Sequence, residues 1–212
     1  MGVIVNKINR FALIIVLVIV SFLGFCTENI FLSWSVRYID NRNMVLPFLW
    51  GYGLSILAIF LIFGTPDNPK LLKKQLDFGS SATNLLYYFT ASFLCVCVGE
   101  VLLGYAVEYG LGIIWWDYTR LPLHITRYTS IPTSLCFATL ITVFMKFFFY
   151  PLVILFSKAN PLVLKVLAVF LVFVLSVDML NSFLYMLNRH EILNLWRIDL
   201  SFLATNRHKT IK

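Results

Sequence analysis

Residues 11–34 read FALIIVLVIVSFLGFCTENIFLSW, and Glu28 is the single charged residue in the run. At about 1.5 Å per residue an unbroken helix of this length crosses a hydrocarbon core of about 30 Å. A carboxylate inside such a span costs about 2.5–3.5 kcal/mol on insertion scales, so its presence points to a function.

Four more apolar stretches follow, at about 44–64, 84–107, 133–157 and 162–187. The pattern predicts an all-α, polytopic integral membrane helix bundle of about five spans. It forms a single transmembrane domain over 1–212, with a surface tail at 188–212. Composition agrees: of 212 residues 60% are hydrophobic and 13% charged, with a mean hydropathy of +0.85, whereas soluble domains carry about 25% charged residues. The net charge of +7 lies mainly in loops and tails, where membrane proteins keep it. No basic nucleic-acid module is present, so a nucleic-acid partner is not expected and the lipid bilayer is. Lys7 and Arg10 before the first span resemble a signal peptide, but no small-x-small site follows, and the run reads as an uncleaved span. Cys26, Cys95, Cys97 and Cys136 all fall in apolar segments and read as small buried hydrophobes.

The first and third spans run in the same direction, and their surroundings repeat. Gly24-Phe-Cys-Thr-Glu28 is followed by Arg42 and Pro47; Glu100, Gly104-Tyr-Ala-Val-Glu108 and Trp116-Asp117-Tyr118 are followed by Arg127 and Pro132. The arginine-to-proline spacing is the same in both. Two parallel helix pairs plus a fifth helix are the expected arrangement, with both arginine loops on one membrane face. The candidate substrate- or ion-binding residues are Glu28, Arg42, Glu100, Asp117, Tyr118 and Arg127. Glu100 ranks first among the acids, because it shares a helix face with Gly104, and Glu108 is placed at the interface. The structural alternative is that the arginine–carboxylate pairs lock loops to helices.

Lys146, midway along the fourth span, and Asp178, inside the fifth, form a candidate intramembrane pair. Loop 65–83, with Pro66, Pro69, Lys70, Lys73 and Lys74, reads as a solvated connector. The tail, with Leu193, Leu195, Trp196, Ile198, Leu200, Phe202 and Leu203 among basic residues, reads as a short amphipathic surface helix. Positive charge does not settle the orientation. The side holding the N-terminus and loop 65–83 carries six Lys/Arg and the other side nine, but Lys7 and Arg10 argue the reverse. Three scattered histidines offer no metal spacing, and nucleotide-binding and hydrolase motifs are missing. No metal, cofactor or catalytic residue is assigned, and work driven by ATP requires a separate ATPase subunit.

On Gly24 to Glu28, Asn41-Arg42-Asn43, Leu46-Pro47-Phe-Leu-Trp-Gly51-Tyr52-Gly53, Glu100-Val-Leu-Leu-Gly104 and the Trp116-Asp117-Tyr118 turn, the chain resembles the ABC-transporter permease family labelled CmpB. Animal transmembrane protein 229 looks like a relative. The resemblance covers about residues 20–140, and it departs from the family pattern at His124 and Thr126. It implies a multi-pass protein of the cell membrane, in a bacterial envelope, and names no substrate. Three functions remain open: a permease-like transport component; a membrane enzyme on a lipid or isoprenoid, with a buried carboxylate as general acid; and a scaffold. The balance is against an enzyme.

Overall fold

Among the described residues, five helices form where the apolar runs lie. The computed structural model describes residues 8–201. Helix α1 spans Arg10–Ser35, α2 Trp50–Phe63, α3 Ser81–Leu111, α4 Ile131–Ser157 and α5 Pro161–Arg189. Four of the starts carry a side-chain cap. Asn9 accepts from the N–H groups of Phe11 and Ala12, Ser80 from Thr83, Ser130 from Thr133, and Asn160 from Leu162 and Val163. Each cap satisfies N–H groups that the first turn leaves unpaired. Within α4, Phe144–Phe148 is a π-helical segment that contains Lys146.

Four helices are long and apolar enough to cross a membrane, and α2 is a shorter apolar helix of 14 residues, about 21 Å long. The expected second span at 44–64 is thus helical only over Trp50–Phe63. Pro47 explains the late start, because it has no N–H and disfavours helix at Leu46. The preceding segment still lies inside the bundle: Asn41, Asn43 and Met44 are buried. Leu49 N–H reaches Ser21 O at 2.9 Å, a carbonyl about 21 Å below the C-terminal end of α1. Irregular backbone at such depth needs partners from the protein. Asp178 supplies them, accepting Val45 N–H at 3.0 Å and Leu46 N–H at 3.1 Å.

Helix α1 packs on α2, and α3 on α4; α1 also meets the second half of α4 and α5. The molecule is therefore two helix pairs with α1 and α3 in the same sense, and α5 laid against α1. Ala12, Val16, Ile56, Phe149 and Ala168 are in the core, and the Phe60 and Phe149 rings sit 4.8 Å apart. Gly53 permits the α1–α2 approach, since a Cβ there would lie 2.5 Å from Leu17 O.

Two loop expectations are corrected. Loop 65–83 is more than a connector: β2 (Gly64–Thr65), β3 (Asn68–Leu71) and β4 (Lys74–Gln75) form an antiparallel sheet. Thr65, Pro66 and Pro69 are fully buried, and the Tyr88 hydroxyl donates to Gly64 O. The tail is not a helix among its described residues beyond Arg189. Arg197–Asp199 (β7) instead pairs antiparallel with Tyr38–Asp40 (β1), Ile198 opposite Ile39. Asn41 explains the outcome, as its side chain donates to Leu193 O and accepts from Leu195 N–H. Phe202 and Leu203 lie outside the described residues. In the second motif loop β5 (His124–Thr126) pairs with β6 (Thr129–Ser130).

Candidate functional site

The α1 acid is clasped by two side chains. Glu28 accepts from Arg42 Nη2 at 2.8 Å and from the Tyr52 hydroxyl at 2.5 Å. One turn earlier, Gly24 leaves room for the Tyr52 ring, which a Cβ would strike. Arg42 is placed by its own loop. Its backbone is left-handed (φ 49°), its N–H donates to Asp40 Oδ1 at 2.8 Å, and its Nη1 lies 3.7 Å from the same oxygen. Asn29, the next residue of α1, accepts Asp40 N–H at 2.8 Å. Local turns thus fix the guanidinium before it meets Glu28.

The second clasp uses the same parts. Glu108 accepts from Arg127 Nη1 at 3.2 Å and from the Tyr128 hydroxyl at 2.7 Å. Gly104, again four residues before the acid, lies under the Tyr128 ring. Arg127 Nε is 3.9 Å from Asp117, as Arg42 is near Asp40. Asp117 forms a turn by accepting Thr119 N–H at 2.8 Å. That bond and the Thr119 side chain hold its carboxyl below the usual range, partial burial opposes them, and Arg127 and Arg120 add to the lowering. Trp116 Nε1 donates to Tyr128 O, and Tyr118 N–H to Arg127 O at 2.7 Å, so the Trp-Asp-Tyr turn braces the arginine strand.

Glu100 belongs to neither clasp. It accepts from the Thr129 hydroxyl at 2.7 Å and from the Ser134 hydroxyl at 3.2 Å, and those two hydroxyls are 3.0 Å apart. Thr129 and Ser134 are fully buried. Among the described residues no cation lies within ion-pair distance of Glu100. If Gly24 is matched to Gly104, the place of Glu100 is taken in α1 by Val20, a buried apolar residue. The acid is therefore particular to the second helix pair. Tyr118 lies in the fields of both pairs. Burial raises its phenol above the ordinary value, the carboxylates of Glu28 and Glu100 push it further, and Arg42 opposes them. The tyrosine thus stands where fields from both halves meet.

The expected residues therefore separate. Glu28 and Arg42 meet directly; Asp117 and Arg127 meet at longer range. Arg127 pairs with Glu108 rather than with Glu100, so Glu108 is a clasp residue and not a bystander at the interface. The Lys146–Asp178 pair does not form. Lys146 instead pairs with Asp67 of the β2–β3 turn, and Asp178 caps the Val45 and Leu46 N–H groups. Both have partners nearer than each other: the buried turn comes to α4 at its π segment, and the irregular segment before α2 comes to α5. Sequence reasoning missed Asp40, Tyr52, Tyr128, Thr129 and Ser134. The G-x-x-x-E register already aligned Glu28 with Glu108, and Asp40 stands two residues before Arg42; both signals were available.

The chain belongs to the family described as "Putative ABC-transporter type IV", whose model matches residues 15–183. The match runs from within α1 to within α5, so it takes in the fifth helix as well as both clasps and Glu100. Neither a curated protein nor a solved structure matches the chain.

Proposed function

We propose that this protein is a permease-like transport component of a cell membrane that binds a proton or small cation at Glu100. The carrying observation is the partner set of that residue. An acid in an apolar helix faces two hydroxyls and no arginine, while Glu28 and Glu108 are each held by an arginine and a tyrosine. A carboxylate left without a countercharge in a low-dielectric span favours uptake of a positive charge. The hydroxyls of Thr129 and Ser134 can donate to the charged form, or accept from a protonated one by rotation. Tyr118 lies within the fields of Glu28, Glu100 and Arg42, so a change of charge at Glu100 is felt at the first clasp. Membership of an ABC-transporter family supports a separate ATPase as the partner that supplies energy.

The same geometry favours a structural role for the two clasps themselves. Each ties an arginine loop to a helix, with the arginine on one carboxylate oxygen and the tyrosine on the other, as a lock would. On this reading Glu28, Arg42, Glu108, Arg127 and Asp117 frame the site, and Glu100 is its working group.

Infrared difference spectra of the protein in lipid, taken across a pH titration, test the assignment. A carboxylic-acid C=O band should appear on acidification, vanish in Glu100→Gln and persist in Glu108→Gln. Vesicles holding the protein and an entrapped pH-sensitive dye should show a proton uptake that Glu100→Gln removes. A band and an uptake that both survive Glu100→Gln would sink the proposal.

A further inference from the structure

The β3–β4 hairpin ends in an unusual tip. Leu71 pairs with Lys74, so Leu72 and Lys73 make a two-residue turn. Leu72 has φ 56°, a left-handed conformation that glycine normally supplies at such a position. Its side chain is nevertheless 62% exposed, and that of Leu71 48%. The left-handed backbone presents an apolar side chain outward, where that side chain gains no burial within the chain, and this points to an outside contact. The tip is also fixed in place. Leu72 N–H donates to Ile62 O at 2.6 Å, in the last turn of α2, and the Tyr87 hydroxyl donates to Lys70 O. Leu61, on the same turn of α2, is exposed as well.

Three lysines surround this apolar tip. Lys73 and Lys74 are exposed, and the Lys70 ammonium lies 5.4 Å from the Phe60 ring centre. None of the three forms an ion pair among the described residues. On the opposite face Arg42 and Arg127 are bound by carboxylates, and Arg197 stacks on Tyr38 at 3.6 Å. Tyr87, its ring 4.9 Å from that of Phe78, adds the kind of aromatic residue that settles at a membrane interface.

We infer that the Leu71–Lys74 tip is an interfacial anchor that binds anionic lipid headgroups, with Leu71 and Leu72 in the acyl boundary and Lys70, Lys73 and Lys74 on the phosphates. Unpaired lysines beside exposed leucines at the end of an apolar helix suit that partner in charge and in polarity. The anchor places the hairpin face of the molecule on the leaflet richer in anionic lipid.

Native mass spectrometry of the full chain, released from vesicles of equal phosphatidylglycerol and phosphatidylcholine, tests this. The wild type should retain phosphatidylglycerol in preference. Lys70→Gln, Lys73→Gln and Lys74→Gln together should lower that preference by roughly tenfold or more, since each lysine near a charged surface contributes appreciably. Leu72→Gly relieves the turn, so it should leave thermal stability in detergent unchanged or raised while it lowers lipid retention. An undiminished preference in both variants overturns the inference. So does displacement of the lipid by inorganic phosphate alone, which assigns the lysines to a free anion. Loss of a co-purifying protein with lipid retention unchanged also overturns it, and assigns the tip to that protein.

Discussion

The two clasps use the same residue types and are secured differently. Around Glu28, the arginine and acid side chains are 20% and 22% exposed and 2.8 Å apart; around Glu108 they are 40% and 29% exposed and 3.2 Å apart. The first arginine loop is pinned from outside its own helix pair. Asp178 of α5 holds its backbone, Asn41 ties it to the tail, and β7 pairs with β1. The second loop is braced chiefly by its own Trp116-Asp117-Tyr118 turn and the β5–β6 pair. Identical chemistry thus produces a firm fixture in one half and a looser one in the other, and Glu100 sits in the looser half. A site that must change charge is better placed where the surrounding loop can respond.

The largest test of this contrast removes the outside pin. Asp178→Ala leaves two partly buried N–H groups without partners, each costing about 1–3 kcal/mol where water does not replace the acceptor, so the midpoint of thermal unfolding in detergent should fall. Asp178→Asn keeps one acceptor oxygen and should fall less. Equal stability of Asp178→Ala and wild type would remove the distinction between the halves.

A smaller difference should separate the acids themselves. Glu28→Gln breaks a partly buried, charge-assisted pair and should cost about 1–3 kcal/mol. Glu108→Gln breaks a more exposed, screened pair and should cost about 1 kcal/mol or less. The reverse order in the same melting experiment would show that exposure does not rank the clasps.

The smallest effect is expected with acid. Asp117 is held below its ordinary range in the folded protein, chiefly by Thr119. Its contribution is therefore complete above the unfolded value, about 3.9, and is lost as pH falls through the folded value. Between pH of about 5 and 3, where an unfolded aspartate titrates, Asp117→Asn should flatten the decline in stability slightly. An identical acid limb in the variant would place the loosening elsewhere.

Much of this architecture was legible in the chain. Apolar run lengths marked the five helices, and the repeated G-x-x-x-E and arginine–proline spacing marked the two loops. What escaped has physical reasons. Asp178 reads as a charge in search of a countercharge, yet its partners are backbone N–H groups, which no side-chain pattern advertises. Lys146 reads as its mate, but a buried hairpin brings Asp67 to it. The tyrosines that complete the clasps come from different local settings, Tyr52 from the first turn of α2 and Tyr128 from the turn between two strands, so no shared spacing reveals them. Glu100 stands out by sharing a helix face with Gly104, while its lack of an arginine partner emerges only from the fold. The β1–β7 pairing joins segments about 160 residues apart, beyond the reach of any local rule.

That pairing also sets an order of events during synthesis. The first clasp is encoded in the opening quarter of the chain, but Asp178, Leu193 and β7 leave the ribosome much later. The Arg42 loop must wait, with its polar backbone unpinned, while four later segments are inserted. The earliest part of the molecule to be made is therefore among the last to be finished. A chain stopped short of β7 would expose that unfinished loop to quality-control proteases.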